Sequence, residues 1–236
     1  MKTTISTFKP KASFAEQAIV LIFDLEGFSK FFSQPDVHEY VPKFLNYVIS
    51  EIDATIKGGK PHWAVDIDGN QMNVPAFPEL LHSKFLGDGG MYIWQYEDFT
   101  EKQRLELMST FWLMKLKFKR IVRKASELIP FLDIPQKIRF GISAGSVYKL
   151  TYEDSHREEY IGYSINLASR LQSYCSDIGF MVSGRLNIRA ADLKGGQYKK
   201  VIANKIKGFP REIVIVDQVE YEELDENIKN QLFAPY

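Results

Sequence analysis

Two carboxylates stand where the backbone can hold them rigidly. Asp24 follows the apolar run Ala18-Ile19-Val20-Leu21-Ile22-Phe23 and precedes Leu25-Glu26-Gly27, and Asp88 lies within Lys84-Phe85-Leu86-Gly87-Asp88-Gly89-Gly90. A buried strand of β-branched and aliphatic residues that ends in an acid and then glycine fixes that acid at a sheet's edge, and a Gly-Asp-Gly strand end does the same. Two such carboxylates on adjacent strand ends suit a pair of divalent cations, Mg2+ or Mn2+. Mg2+ takes one or two protein carboxylates and lets substrate phosphates complete its shell. The chemistry this predicts is metal-dependent phosphoryl transfer.

The elements that carry these groups follow from periodicity. After a polar N-terminal arm, the first strand runs from Ala18 to Asp24. Val41, Phe44, Leu45, Val48, Ile49, Ile52 and Ile56 recur at spacings of three and four, which predicts a helix over 40–57 stopped by Gly58-Gly59. The Gly-, Pro- and Asn-rich stretch 58–79 reads as an elaborated surface loop or short hairpin. Residues 80–86 and 90–96 form a hairpin around Gly87-Asp88-Gly89, and 100–129 reads as one long helix closed by Pro130. A hairpin follows, with strands 137–143 and 146–150 around a turn at Ala144-Gly145, and the polar run 152–159 links it to a helix over 163–175. Strands at 180–183, 198–206 and 212–219, a small helix over 185–192 and an acidic tail complete the pattern. Strand, helix, hairpin, helix, strand is the ferredoxin-like split βαβ arrangement, an α+β fold whose antiparallel sheet carries helices on one face. With no internal repeat, the expectation is a single domain over 1–236 with its core at 18–219.

Composition narrows the function classes. Lys plus Arg and Asp plus Glu each number 30, so no global field draws nucleic acid or an anionic membrane, and phosphate binding must be local. The single cysteine, Cys175, excludes an internal disulfide. No apolar run approaches the roughly 20 residues of a membrane span, and the N-terminus lacks the apolar segment of a secretion signal. A cytoplasmic protein is expected.

Further motifs accompany the two acids: Arg139-Phe140-Gly141-Ile142-Ser143-Ala144-Gly145, Gly162-Tyr163-Ser164-Ile165-Asn166-Leu167-Ala168-Ser169-Arg170, and Lys205-Ile206-Lys207-Gly208. In this order, over about 18–219, the set resembles the catalytic domain of the class III nucleotidyl cyclases. Those enzymes convert a nucleoside triphosphate to its 3′,5′-cyclic monophosphate and pyrophosphate. The resemblance implies that Asp24 and Asp88 are metal ligands, with the Leu25 carbonyl as a further oxygen. It also implies that Asn166 orients the ribose, that Arg170 stabilises the pentacoordinate phosphate, and that Lys207 binds the triphosphate. Because the family builds its site between two subunits, it implies a homodimer with two shared sites.

Base choice falls to Lys84 and Glu159, the positions at which family members read the base. Lysine only donates and ionised glutamate only accepts, so polarity leaves adenine, cytosine, uracil and guanine open. Size favours a pyrimidine, because Tyr160 occupies a position that is usually aliphatic in adenylate cyclases. A bare cyclase domain of this kind looks like the bacterial pyrimidine cyclases of Pycsar anti-phage systems, whose product acts on a separate effector protein. The expected order is UTP, then CTP, with an adenylate cyclase as the runner-up and a non-catalytic nucleotide sensor as the alternative outside enzymes.

Other features carry less. Asp66-Ile67-Asp68-Gly69-Asn70 begins like a calcium loop but lacks glycine at its sixth position and glutamate at its twelfth. His38, His62, His82 and His156 lack metal-ligand spacing and read as ordinary surface or loop histidines. The basic run Lys115, Lys117, Lys119, Arg120, Arg123 and Lys124 reads as a solvated helix face rather than an RNA site.

Overall fold

A computed structural model describes residues 14–127, 129, 133–151, 158–193, 195–209 and 211–236. β1 (Ala15–Glu26) leads through α1 (Phe28–Phe32) to α2 (Val41–Lys57), and then β2 (Leu80–Phe85) and β3 (Gly89–Gln95) form a hairpin. α3 (Glu101–Leu116) and α4 (Phe118–Ser126) return the chain to β4 (Lys137–Thr151). There follow β5 (Glu158–Gly162), α5 (Tyr163–Gln172), β6 (Phe180–Ser183), β7 (Tyr198–Asn204), β8 (Arg211–Asp217), α6 (Gln218–Glu223), α7 (Glu226–Leu232) and β9 (Phe233–Pro235). The sheet order is β2-β3-β1-β4-β6-β8-β7-β9, with β5 paired to the far half of β4. Its first four strands are the expected split βαβ arrangement, and the sheet is antiparallel except where β6 runs parallel to β4.

β1 is buried on both faces, which explains its unbroken apolar run. Ile19, Leu21, Phe23 and Leu25 face the core roofed by α2, α3 and α4. Ala18, Val20 and Ile22 face the other way and pack with Met91, Ile93, Val147, Tyr160 and Ala168. α5 is an addition on this second face. It seats so closely on β4 that a Cβ at Gly141 would stand 2.1 Å from the Ala168 carbonyl oxygen. The apolar side of α5, Leu167 and Leu171, continues into a core with Met181, Val201, Val214 and Val216.

Four local expectations change. Residues 58–79 keep the expected short hairpin pairing, Gly59 with Val74 and Val65 with Gln71, but are anchored in the core rather than lying on the surface: Trp63 is fully buried and donates its indole N–H to Thr55 Oγ1 at 2.8 Å, and Phe77 stacks on Phe99 and Phe111. The long helix breaks at Lys117, whose ammonium bonds the Val65 carbonyl of that same segment. Ala144-Gly145 makes no turn, because residues 137–148 stay paired with β1 along its whole length, and a continuous ladder outweighs a local turn preference. The acidic tail forms α6, α7 and β9, which pairs with β7. Of the polar run 152–159, residues 152–157 lie outside the described residues, as does the N-terminal arm through 13, while Glu158 and Glu159 begin β5.

A buried polar cluster ties the tail to α3. Asp217 accepts from Trp112 Nε1 at 2.7 Å, Lys115 Nζ at 2.8 Å and the Glu220 amide at 3.1 Å, and Lys115 also pairs with Glu220 at 2.8 Å. Burial pushes the Asp217 carboxyl up, but Lys115 and the amide and indole donors outweigh it and hold the group below its usual range. A depressed folded value means that this stability is complete above the unfolded value near 3.9 and is lost as pH falls through the lower folded value. Asp217→Asn is therefore expected to cost about 3 kcal/mol at neutral pH. In urea titrations its gap from the wild type should close as pH falls below the ordinary carboxylate range; a gap unchanged by pH would refute this.

Candidate active site

The two acids meet because β3 runs unusually close to β1. Asp24 is opposite Gly89 and Phe23 opposite Gly90 in the register. A Cβ at Gly89 would stand 2.0 Å from the Phe23 carbonyl oxygen, and one at Gly90 would stand 2.6 Å from the Phe23 ring. Gly87 takes a positive φ of 99°, which lets the hairpin turn in two residues, and the Leu25 amide donates to the Asp88 carbonyl at 3.1 Å. Asp88 is thereby held against Asp24. Burial and then the Asp24 charge push the Asp88 carboxyl up.

Arg139, opposite Asp24 on β4, donates Nη2–H to Asp24 Oδ2 at 2.6 Å. Sequence reasoning assigned Arg139 no role. The available signal was its place two residues before Gly141, on a strand bound to share β1's register. Two oxygen-only donors in mutual contact, with one guanidinium beside them, fit a hard divalent cation. Among the described residues no three His, Cys, Asp or Glu side chains converge.

A second cluster forms where β5 comes over to β2. Lys84 Nζ pairs with Glu159 Oε2 at 2.5 Å. Tyr160 is buried on the second face of the sheet, its ring 5.1 Å from that of His82.

The third group lies on α5 and the β7–β8 turn. Gly162 starts α5 where a Cβ would stand 2.4 Å from the Ser146 carbonyl oxygen. From there Asn166 and Arg170 lie one turn apart on the exposed side, opposite fully buried Leu167, Ala168 and Leu171. Lys207 is exposed in a tight turn closed by the Phe209 amide on the Ile206 carbonyl at 2.8 Å, with Gly208 at φ 86°. Tyr163 joins these two elements. Its ring meets Phe209 edge-on at 4.9 Å, Arg185 lies over it at 4.7 Å, and its hydroxyl donates to Glu212, which also holds Arg185 at 2.9 and 3.2 Å. Burial and the Glu212 charge push the Tyr163 hydroxyl up to about 12. Among the described residues no hydrogen bond or ion pair joins Asn166, Arg170 or Lys207 to Asp24 or Asp88. One chain thus presents two clusters and an exposed third group.

No protein-family model matches the sequence, and no curated relative does. Solved structures do match in fold. The crystal structure of the adenylyl cyclase CyaB from P. aeruginosa superimposes with a TM-score of 0.61 at 18% identity, covering 88% of this chain and 96% of that one. The guanylyl cyclase Cya2 gives 0.58 at 19%, covering 88% and 93%. The guanylate cyclase domain of RhGC from Catenaria anguillulae, in complex with GTP, gives 0.53 at 17%, covering 86% and 96%. The fold is the class III cyclase homology domain. Within that cyclase fold, Glu212 is the buried acid that couples the Lys207 turn to α5. Glu212→Ala is expected to destabilise the protein by about 1–2 kcal/mol, chiefly because the Tyr163 hydroxyl loses its acceptor, while the half-exposed Arg185 stays solvated. Glu212→Gln, which keeps an acceptor for Tyr163, should lose clearly less in chemical denaturation; equal losses would count against the coupling.

Proposed function

We propose that this protein is a nucleotidyl cyclase that converts UTP to 3′,5′-cyclic UMP and pyrophosphate, acting as a homodimer with two shared sites. The observation that carries this reading is the Asp24–Asp88 pair, two carboxylates forced together at strand ends of a cyclase fold. Asp24 and Asp88, with the Leu25 carbonyl, would hold two divalent cations, Mg2+ or Mn2+. Bound there, the cations would acidify the ribose 3′-hydroxyl and neutralise phosphate charge. The 3′-oxygen forms a bond to the α-phosphorus, the bond to the β-phosphate oxygen breaks, and the hydroxyl proton leaves to solvent as pyrophosphate departs.

The remaining residues bind and orient. Arg139 stands beside the acids and offers a guanidinium to phosphate oxygens. Asn166 orients the ribose, Arg170 stabilises charge developing on the α-phosphoryl oxygens, and Lys207 holds the triphosphate. In the dimer these three reach the acids of the partner copy, in keeping with their exposure and their separation from Asp24 and Asp88 within one chain. Lys84 and Glu159 read the base, and Tyr160 beside them adds bulk that suits a pyrimidine. The likeness to Pycsar cyclases supports a role for the product as a signal in bacterial anti-phage defence, read by a separate effector. No helix among the described residues is long and apolar enough to cross a membrane.

Incubation with each of the four ribonucleoside triphosphates and Mn2+ is expected to release pyrophosphate fastest from UTP. Exclusive turnover of ATP would replace this reading with an adenylate cyclase. Asp24→Ala and Arg170→Ala should each lower kcat at least 100-fold, the scale set by loss of one transition-state contact. Mixing the two inactive chains should restore part of the activity through one intact shared site, whereas no recovery in a demonstrated heterodimer would reject shared sites.

A further inference from the structure

Arginines meet carboxylates in this chain in two different ways. Arg185 grips Glu212, and Arg189 grips Asp192, with Nε and Nη2 on separate oxygens, the two-bond fork that gives such pairs both strength and fixed geometry. Arg139 reaches Asp24 Oδ2 through Nη2 alone, at 2.6 Å, and its Nε has no hydrogen-bond partner among the described residues. The contact is therefore strong in charge but incomplete in geometry. Neither group is shut away, since the Asp24 side chain is 24% exposed and that of Arg139 20%. Arg139 also lines a cavity of about 210 Å3 with Lys119, Lys137, Asp177 and Gly179, which leaves the guanidinium space to quit Asp24 without a shift of β4.

This half-made pair sits on a carboxylate that cations would need. Two divalent cations shared by two carboxylates draw on nearly every carboxylate oxygen, and Asp24 Oδ2 is already taken. A guanidinium there also sets a positive charge in the path of an arriving dication. A triphosphate reverses the balance, because its oxygens offer the guanidinium a partner of higher charge. We propose that Arg139 is a resident counter-ion that makes cation binding depend on the nucleotide. In the empty site it neutralises Asp24 and keeps the affinity for a free cation low; when a triphosphate enters, it passes to the phosphates and frees Oδ2. This rests on the cyclase reading and adds a binding order to it: a cation alone is held poorly, a cation with a triphosphate well, and the coupling is reciprocal.

The test measures Mn2+ affinity in the nucleotide-free chain, by electron paramagnetic resonance of free Mn2+, for the wild type, Arg139→Gln and Arg139→Lys. Glutamine removes the charge but keeps an N–H for Asp24, and it is expected to tighten Mn2+ binding about 10-fold, the scale on which one charge within 4–6 Å shifts a neighbouring equilibrium. Lysine keeps the charge and should stay within about twofold of the wild type. Adding Asp24→Asn to Arg139→Gln should abolish the gain, which locates the cation. At saturating Mn2+, Arg139→Gln should also raise KM for UTP and lower kcat, because the phosphates lose a donor. Tighter metal binding with slower turnover is the signature; a residue that only supports the fold would weaken both.

A second measurement needs no substitution. In the wild type the Arg139 guanidinium 15N resonances should move little with Mg2+ alone, and clearly when Mg2+ and α,β-methylene-UTP, which cannot cyclise, are added together. Unchanged or weaker Mn2+ affinity in folded Arg139→Gln would overturn the proposal, as would equal tightening by lysine or a guanidinium signal that stays fixed with both additions. If the wild type binds Mn2+ yet releases pyrophosphate from no triphosphate, the cyclase reading fails, while the Mn2+ comparison still judges Arg139. A chain that binds no Mn2+ in any of the three forms, with or without the analogue, overturns both.

Discussion

The architecture depends on a repulsion that the backbone enforces. Asp24 and Asp88 would separate if their side chains alone decided, since like carboxylates in partial burial raise each other's cost of ionisation. They are kept together by the β1–β3 ladder, by the Leu25 amide on the Asp88 carbonyl, and by two glycines that let β3 press against Phe23. That ladder is anchored in turn by the aromatic core under it, where Phe23 packs with Tyr92 and Phe140, and Phe140 with Phe111. The stability of the sheet thus holds two carboxylates together, with the Arg139 guanidinium offsetting part of their charge.

The same logic of close approach governs the other face of the sheet. Gly141 admits α5 onto β4, Gly162 lets the chain pass from β5 into α5 without a loop, and Tyr163 then ties that helix to the Lys207 turn. Glycine at these contacts is a matter of space between backbones, not of flexibility. Without it, Asn166, Arg170 and Lys207 would lose their common support.

Much of this was legible in the sequence, for identifiable reasons. The split βαβ order follows from apolar periods and turn residues, which are local signals. Asp24 stands out at the close of an apolar run three residues before a glycine, and Asp88 stands between two glycines. What stayed hidden depended on long-range pairing. The β4 strand runs through Ala144-Gly145 because β1 is long enough to hold it, and the helix over 100–129 breaks at Lys117 where residues 58–79 dock on it. The place of His82 was equally hidden. One of four scattered histidines in the sequence, it enters a cluster only once β5 folds over to β2. Arg139 escaped notice because its partner is distant in sequence and adjacent only in register.

The 15-residue strand β4 carries a consequence of its own. At one end it holds Arg139 against Asp24, and toward the other, through the pairing of Leu150 with Glu159, it supports the base-reading strand. From 139 to 150 the strand contour is about 36 Å at the usual rise. If in the proposed dimer Lys84 and Glu159 serve the same centre as Asn166, Arg170 and Lys207, those two ends belong to different catalytic centres, and one covalent strut sets the gauge between them. A shift of the strut that tightened one centre would then be felt at the other, making the two sites mechanically dependent without any dedicated messenger between them.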